Sequence, residues 1–251
     1  MSVYCAADWH GCYWVWKKVK EILKPDDILC FLGDAADRGP DGWKLIKELL
    51  DDKRVIYLKG NHEDLLVQAM INRPEEAYKD TSWFNYDAAM RLWFYNGGDP
   101  TYTALIGDED LSSIEKKHII EKLRILPFCT VFHNKMGYDI LLSHAGSHDF
   151  ETANKAEEED FLWDRNHYFD FTNWYGKDTE YIIHGHTPIE YMLKDQENSA
   201  FGERSIVINN YNGGVYWYSK GHKACLDMGT AWNDIAVLLD LNTFEEIIIK
   251  K

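Results

Sequence analysis

The sequence predicts an α/β fold in which two packed β-sheets are covered by helices on their outer faces. The first third of the chain alternates short apolar runs with helical segments, which indicates parallel strands in a buried sheet. From Ile140 onward strand-like runs dominate, which indicates a second sheet. The 251 residues are enough for one domain with a sizeable core, and no segment has the composition of a linker.

The first third of the chain predicts three strand–helix pairs. The strands are expected at residues 3–8, 27–34 and 55–58, and the helices at about 13–23, 41–51 and 63–71. Open α/β sheets place their sites at the carboxyl ends of parallel strands. Polar motifs that follow these three strands are therefore expected to meet at one edge of the sheet.

The rest of the chain predicts a mostly helical segment followed by strands. Residues 72–125 are expected to form a helical cap inserted in a single domain over residues 1–251. Later strands are expected at residues 140–143, 181–184, 205–208, 215–218, 235–241 and 246–250. The aromatic residues of the cap are either core packing or a surface on which an adenine could stack; they are Trp83, Phe84, Trp93, Phe94 and Tyr95.

Composition argues against several classes of protein. No apolar run approaches the roughly 20 residues that span a bilayer, and no basic segment precedes the strand pattern at Val3, so neither a membrane span nor a signal peptide is expected. Five scattered cysteines predict reduced thiols in a cytoplasmic protein. The net charge of −15 argues against nucleic-acid partners, and a phosphate site in so acidic a chain needs positive charge from metal ions.

Five short polar motifs follow apolar runs in a fixed order. They read Asp8-Trp9-His10-Gly11, Gly33-Asp34-Ala35-Ala36-Asp37-Arg38-Gly39, Gly60-Asn61-His62-Glu63, Ser143-His144-Ala145-Gly146 and His184-Gly185-His186-Thr187. Carboxylates, imidazoles and an amide are ligands for divalent metals, and a neighbouring Arg suits a phosphate. The motifs together predict metal-assisted hydrolysis of a phosphate ester.

The two aspartates of the first motifs are the expected anionic ligands. Asp8 and His10 lie two residues apart, so that from an extended segment both side chains would reach one metal. The alternative for this pair is a turn-forming Asp and a surface His. Asp34 ends an apolar run, and its two oxygens can bridge cations about 3.5–4 Å apart. Its alternative is an N-cap or an Asx-turn.

Three neutral side chains complete the expected ligand set. Asn61, His144 and His186 each follow a predicted strand beside Gly or Ala, although a polar residue satisfied within the protein is the alternative for each. Two carboxylates, two divalent metals and a phosphate dianion sum to zero charge. Ligands without Cys favour Mn, with Fe and Zn as alternatives, over Ca. The expected nucleophile is a hydroxide that bridges the two metals.

Three further residues are expected to act on the substrate or on its leaving group. Arg38 offers planar donors that fit phosphate oxygens, although a surface salt bridge is its alternative. His62 is expected to be the general acid, and Asp37 to hold its imidazole in the required tautomer. Glu63 is assigned to the dipole at the start of a helix, outside the chemistry.

The motifs resemble those of the metallophosphoesterase superfamily, in particular its phosphoprotein-phosphatase branch with the signatures GDxxDRG and GNHE. The resemblance extends to Asp227-Met228-Gly229 and is strongest to lambda-phage-type serine/threonine phosphatases and symmetrical diadenosine tetraphosphate hydrolases. It implies a four-layer αββα sandwich of two mixed sheets flanked by helices, with a helical cap segment. It also implies a calcineurin-like enzyme with two divalent metal ions.

The resemblance also implies a role for each site residue. The first metal would be held by Asp8, His10 and bridging Asp34, and the second by Asp34, Asn61, His144 and His186. The acid pair would be His62 and Asp37, and phosphate would be bound by Arg38, Arg165 and Asn61. A salt-bridged helix Arg is the alternative for Arg165. His184 lies at a position that is not usually a ligand and is assigned to packing or to support of the ligands.

The motifs therefore predict a two-metal hydrolase of phosphate monoesters. A phosphoserine or phosphothreonine protein is the first expected substrate, and diadenosine tetraphosphate is the second. The cap and the outer loops would decide between them. An inactive binding protein is disfavoured because neither a ligand nor the His62–Asp37 pair is missing. A phosphodiesterase or nuclease is disfavoured by the net charge of −15 and by the two Arg clamps.

Overall fold

The computed structural model describes residues 1–79, 87–198 and 213–251. Its strands are β1 (Val3–Ala6), β2 (Ile28–Phe31), β3 (Val55–Tyr57), β4 (Cys129–His133), β5 (Asp139–Ser143), β6 (Glu180–His184), β7 (Tyr216–Tyr218), β8 (Lys223–Cys225), β9 (Ile235–Asp240) and β10 (Glu246–Lys250). Its helices are α1 (Tyr13–Ile22), α2 (Gly42–Asp51), α3 (Asn61–Met70), α4 (Ala88–Tyr95), α5 (Asp99–Ile106), α6 (Ser113–Arg124), α7 (Phe150–Ala153), α8 (Glu158–Trp163), α9 (Ile189–Asn198) and α10 (Thr230–Asn233).

The strands form two mixed five-stranded sheets flanked by helices, as the sequence predicts. The first sheet has the order β10-β9-β1-β2-β3, and the second has the order β4-β5-β6-β8-β7. β1, β2 and β3 are parallel, which confirms the pairing expected from their alternation with helices. β5, β6 and β8 are also parallel, while β4 and β7 pair antiparallel at the edges of the second sheet. Each sheet thus offers a group of parallel strands whose carboxyl ends can carry a site.

The two faces of the first sheet bury different partners. Side chains alternate between the faces of a strand, so Leu29 and Phe31 of β2 pack in one core cluster with Trp43 of α2. Cys30 points the other way and belongs to a second core cluster with Ile183 of the second sheet. The first sheet therefore packs against helices on one side and against the second sheet on the other.

Some elements differ from the sequence prediction. β4 and β8 were not expected, because β8 has only three residues and the side chains of edge strand β4 are half-buried or exposed. The second half also holds helices α7, α8 and α9 among its strands. The strand expected at residues 205–208 lies outside the described residues. The second half of the chain therefore contains more helix than the sequence prediction of mostly strands indicated.

Residues 87–125 are largely helical, as expected for this segment. They hold α4, α5 and α6, and α3 packs against α4 and α6. Helix α6 begins at a capping box in which the Ser112 hydroxyl accepts a hydrogen bond from the Glu115 backbone N–H. Within the three described stretches, no helix combines the length and the apolar composition that crossing a membrane requires.

Candidate active site

The expected ligands are brought together at the carboxyl ends of strands from both sheets. Asp8 and Asp34 follow β1 and β2, Asn61 begins α3 after β3, and His144 and His186 follow β5 and β6. Each of these side chains is buried, with 7 % exposure at most. Burial of this many polar groups is costly unless each has a partner or binds a cation. The cluster is therefore a candidate binding site.

The backbone reaches this site through tight reversals instead of extended segments. β1 ends at Ala6, so the extended arrangement expected for Asp8 and His10 is wrong. Among residues 1–79, 87–198 and 213–251, ten non-glycine residues have positive φ, and six of them are expected site residues: Asp8, His10, Asp34, Asp37, Arg38 and His186. Such conformations are strained and persist where the surrounding structure enforces them, often at functional sites. The side chains converge because the loops turn sharply after the strands.

Close backbone approach also shapes the site. A Cβ atom at Gly185 would overlap the Asp8 carboxylate. The His186 backbone N–H donates to both oxygens of that carboxylate, at 3.1 and 3.2 Å. The Gly in the His-Gly-His sequence therefore lets the loop after β6 contact the loop after β1.

Asp34 lies at the centre of the ligand cluster. Its Oδ2 atom is 3.5 Å from His10 Nε2 and 3.5 Å from His144 Nε2. Asp8 Oδ1 lies 4.0 Å from the same His10 nitrogen. Burial raises the pKa of Asp34, but positive charge on His144, His62 or His10 when protonated and the hydrogen bond from the His62 backbone N–H lower it, and the net direction is downward. Asp34 thus belongs to both groups of side chains that could hold an ion, and its bridging role stays a prediction.

Backbone carbonyls orient two of the histidines. His10 Nδ1 donates to the Ala36 carbonyl at 3.0 Å, and His144 Nδ1 donates to the Leu32 carbonyl at 2.9 Å. Burial lowers the pKa of both imidazoles, which keeps them neutral. The Nε2 lone pair of each ring is thereby directed at the cluster, as in metal sites where a carbonyl fixes the tautomer.

The remaining two expected ligands, Asn61 and His186, face His144. Asn61 Oδ1 lies 2.8 Å from His144 Nε2 and 3.0 Å from His186 Nδ1. The two imidazole nitrogens are 3.2 Å apart. With Nδ1 of His144 donating to Leu32, its Nε2 and the Asn61 oxygen are both acceptors that face each other. A divalent cation satisfies such a set, and mixed carboxylate, imidazole and amide donors suit Mn, Fe or Zn.

A further carboxylate lies at this site and was not assigned a role from the sequence. Asp227 follows β8, is buried, and accepts from the Gly229 backbone N–H at 2.9 Å. Burial raises the pKa of Asp8, and the carboxylates of Asp227 and Asp34 raise it further. The sequence signal was present, because Asp227 follows a short apolar run as Asp34 does, but the strand before it was not recognised.

The expected acid pair is assembled. His62 Nδ1 lies 2.7 Å from Asp37 Oδ2, and Trp93 Nε1 donates to both Asp37 oxygens at 3.0 and 2.9 Å. Burial would lower the pKa of His62, but Asp34 and Asp37 outweigh it and the pKa is raised. Trp93 is fully buried, so it is core packing and offers no surface for an adenine. Trp83 and Phe84 lie outside the described residues.

The two expected phosphate clamps are exposed at the mouth of the site. Arg38 donates from Nη1 to His10 Nε2 at 2.7 Å and from Nη2 to His62 Nε2 at 3.1 Å. Arg165 donates from Nε to Thr187 Oγ1 at 3.3 Å, next to His186. No described carboxylate forms a salt bridge with either guanidinium, so both can bind an anion.

Glu63 has a larger role than the helix dipole suggested. Its buried carboxylate accepts the backbone N–H groups of Asp34, Ala35, Ala36 and Gly60 at 2.7, 2.9, 3.3 and 2.9 Å. Glu63 thus fixes the loop that carries Asp34, Asp37 and Arg38. Sequence reasoning missed this because the contact joins residues about 28 positions apart.

His184 lies outside the ligand cluster. Its Nδ1 lies 2.9 Å from the Gly185 carbonyl oxygen, and its Nε2 lies 2.7 Å from the Tyr218 hydroxyl. The ring is buried, which lowers its pKa to about 3. Through these two bonds His184 contacts residues other than the expected metal ligands.

The chain resembles known phosphoesterases. The calcineurin-like phosphoesterase family profile matches residues 1–225. The symmetrical bis(5′-nucleosyl)-tetraphosphatase of Buchnera aphidicola subsp. Schizaphis graminum is 31% identical over 165 residues, which are 62% of this chain and 49% of the relative. Serine/threonine-protein phosphatase 1 of Salmonella typhimurium is 29% identical over 100 residues, which are 39% of each chain. The chain thus spans about half or less of the length of these curated relatives.

A solved structure supports the fold. A serine/threonine phosphatase from Saccharomyces cerevisiae superposes with a TM-score of 0.57 at 13% identity. The match covers 100% of this chain and 80% of the yeast one. At this level of identity the likeness concerns the arrangement of sheets and helices alone.

Proposed function

The chain belongs to the calcineurin-like phosphoesterase family, and from this premise we propose that it is a two-metal hydrolase of phosphoric esters and anhydrides. One observation carries the proposal: the acceptor atoms of Asp34, Asn61 and His144 face one another in a buried cluster. Such a set is complementary to cations, and family membership makes hydrolysis the reaction that the cations would serve.

The proposed metal ligands are those that the cluster contains. Asp8, His10 and Asp34 would hold one divalent ion, and Asp34, Asn61, His144 and His186 would hold the other. Mn is the proposed metal, with Fe and Zn as alternatives. When bound, the two ions would polarise phosphoryl oxygens and supply the water that attacks phosphorus.

The protein's own side chains would bind the phosphate and move the proton. Arg38 and Arg165 would bind phosphate oxygens, with Asn61 beside them, and Arg38 would leave His62 Nε2 to do so. His62 would then give the proton on Nε2 to the leaving-group oxygen, because its Nδ1 is held by Asp37. Trp93, in helix α4, donates a hydrogen bond to the Asp37 carboxylate and keeps it in place. We propose that residues 72–125 act as a cap of a single domain, in part through this contact.

For the substrate, we propose a dinucleoside polyphosphate, which reverses the order that the motifs alone suggested. The Buchnera relative named as a tetraphosphatase matches a longer part of this chain, at higher identity, than the Salmonella relative named as a serine/threonine phosphatase. A phosphoserine or phosphothreonine protein is the second candidate, since the Salmonella relative carries that name. The same acid pair and clamps serve both substrates.

A turnover assay with Mn²⁺ separates the two candidates. Diadenosine tetraphosphate and a phosphoserine peptide are compared at equal enzyme concentration, and kcat/KM is measured for each. The proposal expects a clear preference for the dinucleotide. A clear preference for the peptide would restore the phosphoprotein assignment, while hydrolysis of neither would contradict the phosphoesterase proposal itself.

We also propose a cytoplasmic location. All five cysteines are free, and Cys5, Cys30 and Cys225 are buried. Burial raises the pKa of these three thiols, which disfavours their reactive thiolate form. Reduced, unreactive thiols suit a reducing compartment.

A further inference from the structure

Trp232 projects at the mouth of the candidate active site. It lies in α10, three residues after Gly229, and its side chain is 44 % exposed. Gly229 has a left-handed conformation with φ +63°, and its N–H is held by the buried Asp227 carboxylate at 2.9 Å. The loop that carries Trp232 is thus attached to the floor of the site.

The indole ring packs in a defined position against this loop. A Cβ atom at Gly229 would lie 2.7 Å from Cε2 and Nε1 of Trp232, so the ring packs on the glycine backbone. The Trp232 backbone N–H donates to the Gly229 carbonyl at 3.0 Å, and Asn233 Nδ2 donates to the Met228 carbonyl at 2.8 Å, so the backbone beneath the ring is fixed. A ring held in this way loses little conformational entropy when a ligand stacks on it.

The ring lies next to the group that would bind phosphate. Arg38 Cζ is 5.7 Å from the Trp232 ring centroid, within the range of a cation–π contact. The same guanidinium reaches His62 Nε2 at 3.1 Å. The Arg38 side chain therefore links the exposed indole of Trp232 to His62, the proposed general acid.

The position of Trp232 determines which leaving groups it could contact. The leaving-group oxygen must lie beside His62 Nε2, so the moiety attached to it emerges near Arg38 and Trp232. A purine has a π-face that can stack on an exposed indole, whereas a serine or threonine side chain has none. Trp93 cannot offer such a face, because it is fully buried.

We infer that Trp232 binds the nucleoside of a nucleoside polyphosphate by stacking on its purine ring, and thereby favours nucleotide substrates over alkyl phosphates. The inference rests on the proposed phosphoesterase function and names a specificity-determining residue for it. Trp232 acts on substrate binding, and metal binding does not involve it.

The test compares Trp232→Leu and Trp232→Phe with the parent chain in Mn²⁺. The readout is the ratio of kcat/KM for diadenosine tetraphosphate to kcat/KM for a phosphoserine peptide. Loss of one stacked base predicts that Trp232→Leu lowers this ratio by about 5- to 100-fold. Trp232→Phe keeps an aromatic face and is expected to retain most of the ratio. A merely structural role would lower both kcat/KM values together and leave the ratio intact.

A matched control is available in α9. Tyr191 is 48 % exposed and has Lys194 Nζ 5.3 Å from its ring centroid, so it presents a similar exposed aromatic–cation pair on a different helix. Tyr191→Leu is expected to leave the ratio at the parent value. An equal fall in Tyr191→Leu and Trp232→Leu would overturn the inference.

Measurements of ligand binding distinguish failure of this inference from failure of the proposed function. The Kd of adenosine 5′-diphosphate and that of inorganic phosphate are measured by calorimetry, which needs no turnover. Trp232→Leu is expected to weaken the nucleotide much more than phosphate. Equal Kd values for the nucleotide in the parent and in Trp232→Leu would overturn the inference even if the parent hydrolyses both substrates. Absence of all hydrolysis by the parent would instead overturn the proposed function.

Discussion

The His62 imidazole donates from Nδ1 to the Asp37 carboxylate across 2.7 Å, inside the protein and next to the ligand cluster. This bond fixes the ring so that Nε2 faces the site. Trp93 donates to the same carboxylate and so makes the pair part of a buried network. This is the arrangement that the proposed role of His62 as proton donor requires, with Asp37 and Trp93 holding the ring in place.

Replacement of His62 tests this role. His62→Asn is expected to lower kcat by roughly 10²- to 10⁴-fold, because general acid catalysis is lost. Metal content should stay at the parent value, since Nε2 of His62 is not a proposed ligand. The matched control is His133→Asn, because His133 pairs with Asp139 at 2.5 Å on the surface. An unchanged kcat with a poor leaving group would remove His62 from the chemistry.

Arg38 is tested through product inhibition. Arg38→Ala is expected to weaken inhibition by inorganic phosphate, because two planar donors are lost from the mouth of the site. Arg54→Ala is the control, since Arg54 is bound by Asp52 at 2.7 Å and lies outside the cluster. Equal phosphate inhibition constants in Arg38→Ala and the parent would contradict the clamp.

Glu63 is expected to contribute strongly to stability. In the parent chain, backbone N–H groups donate to both carboxylate oxygens of Glu63. Glu63→Gln leaves these donors a single carbonyl oxygen. The expected loss is about 1–3 kcal/mol in the free energy of unfolding, measured with urea. Glu115→Gln is the matched control, because Glu115 occupies the same third position of a capping box but is exposed. If both variants lose the same stability, Glu63 does not hold the loop.

The buried Lys223 side chain is expected to make the free energy of unfolding depend on pH. Burial lowers its pKa to about 8, although Asp149, Asp170 and Asp164 oppose this shift. In the unfolded chain a lysine titrates near 10.4. Between about pH 8 and 10.4 the unfolded chain therefore binds more protons, and stability rises with pH across this window. Below pH 8 the penalty for the buried charge is complete.

The comparison of Lys223→Met with the parent isolates this effect. The free energy of unfolding of the variant minus that of the parent should fall by about 3 kcal/mol between pH 7 and 10.5. Lys155→Met replaces an exposed lysine and should show a nearly flat difference. A flat difference for Lys223→Met, measured by urea unfolding at each pH, would contradict the assigned pKa.

The sequence predicted the outline of the fold and most of the cluster for physical reasons. Short apolar runs such as Ile28–Phe31, bounded by turn-forming residues, are typical of buried strands, and the polar motifs follow such runs. The contacts of Glu63 and Asp227 escaped prediction because they depend on how separate loops pack. Trp232 escaped for the same reason: its exposure and its distance to Arg38 exist only in the folded chain.

The central claim is that Asp8, His10, Asp34, Asn61, His144 and His186 hold two catalytic metal ions. Mn²⁺ bound per chain is measured together with hydrolysis of an aryl phosphate, before and after chelation, in the parent and in Asp34→Asn. We expect two ions per chain, loss of hydrolysis on chelation, recovery with Mn²⁺, and loss of both binding and hydrolysis in the variant. Hydrolysis that persists after exhaustive removal of metal would contradict a metal-dependent reaction at these residues.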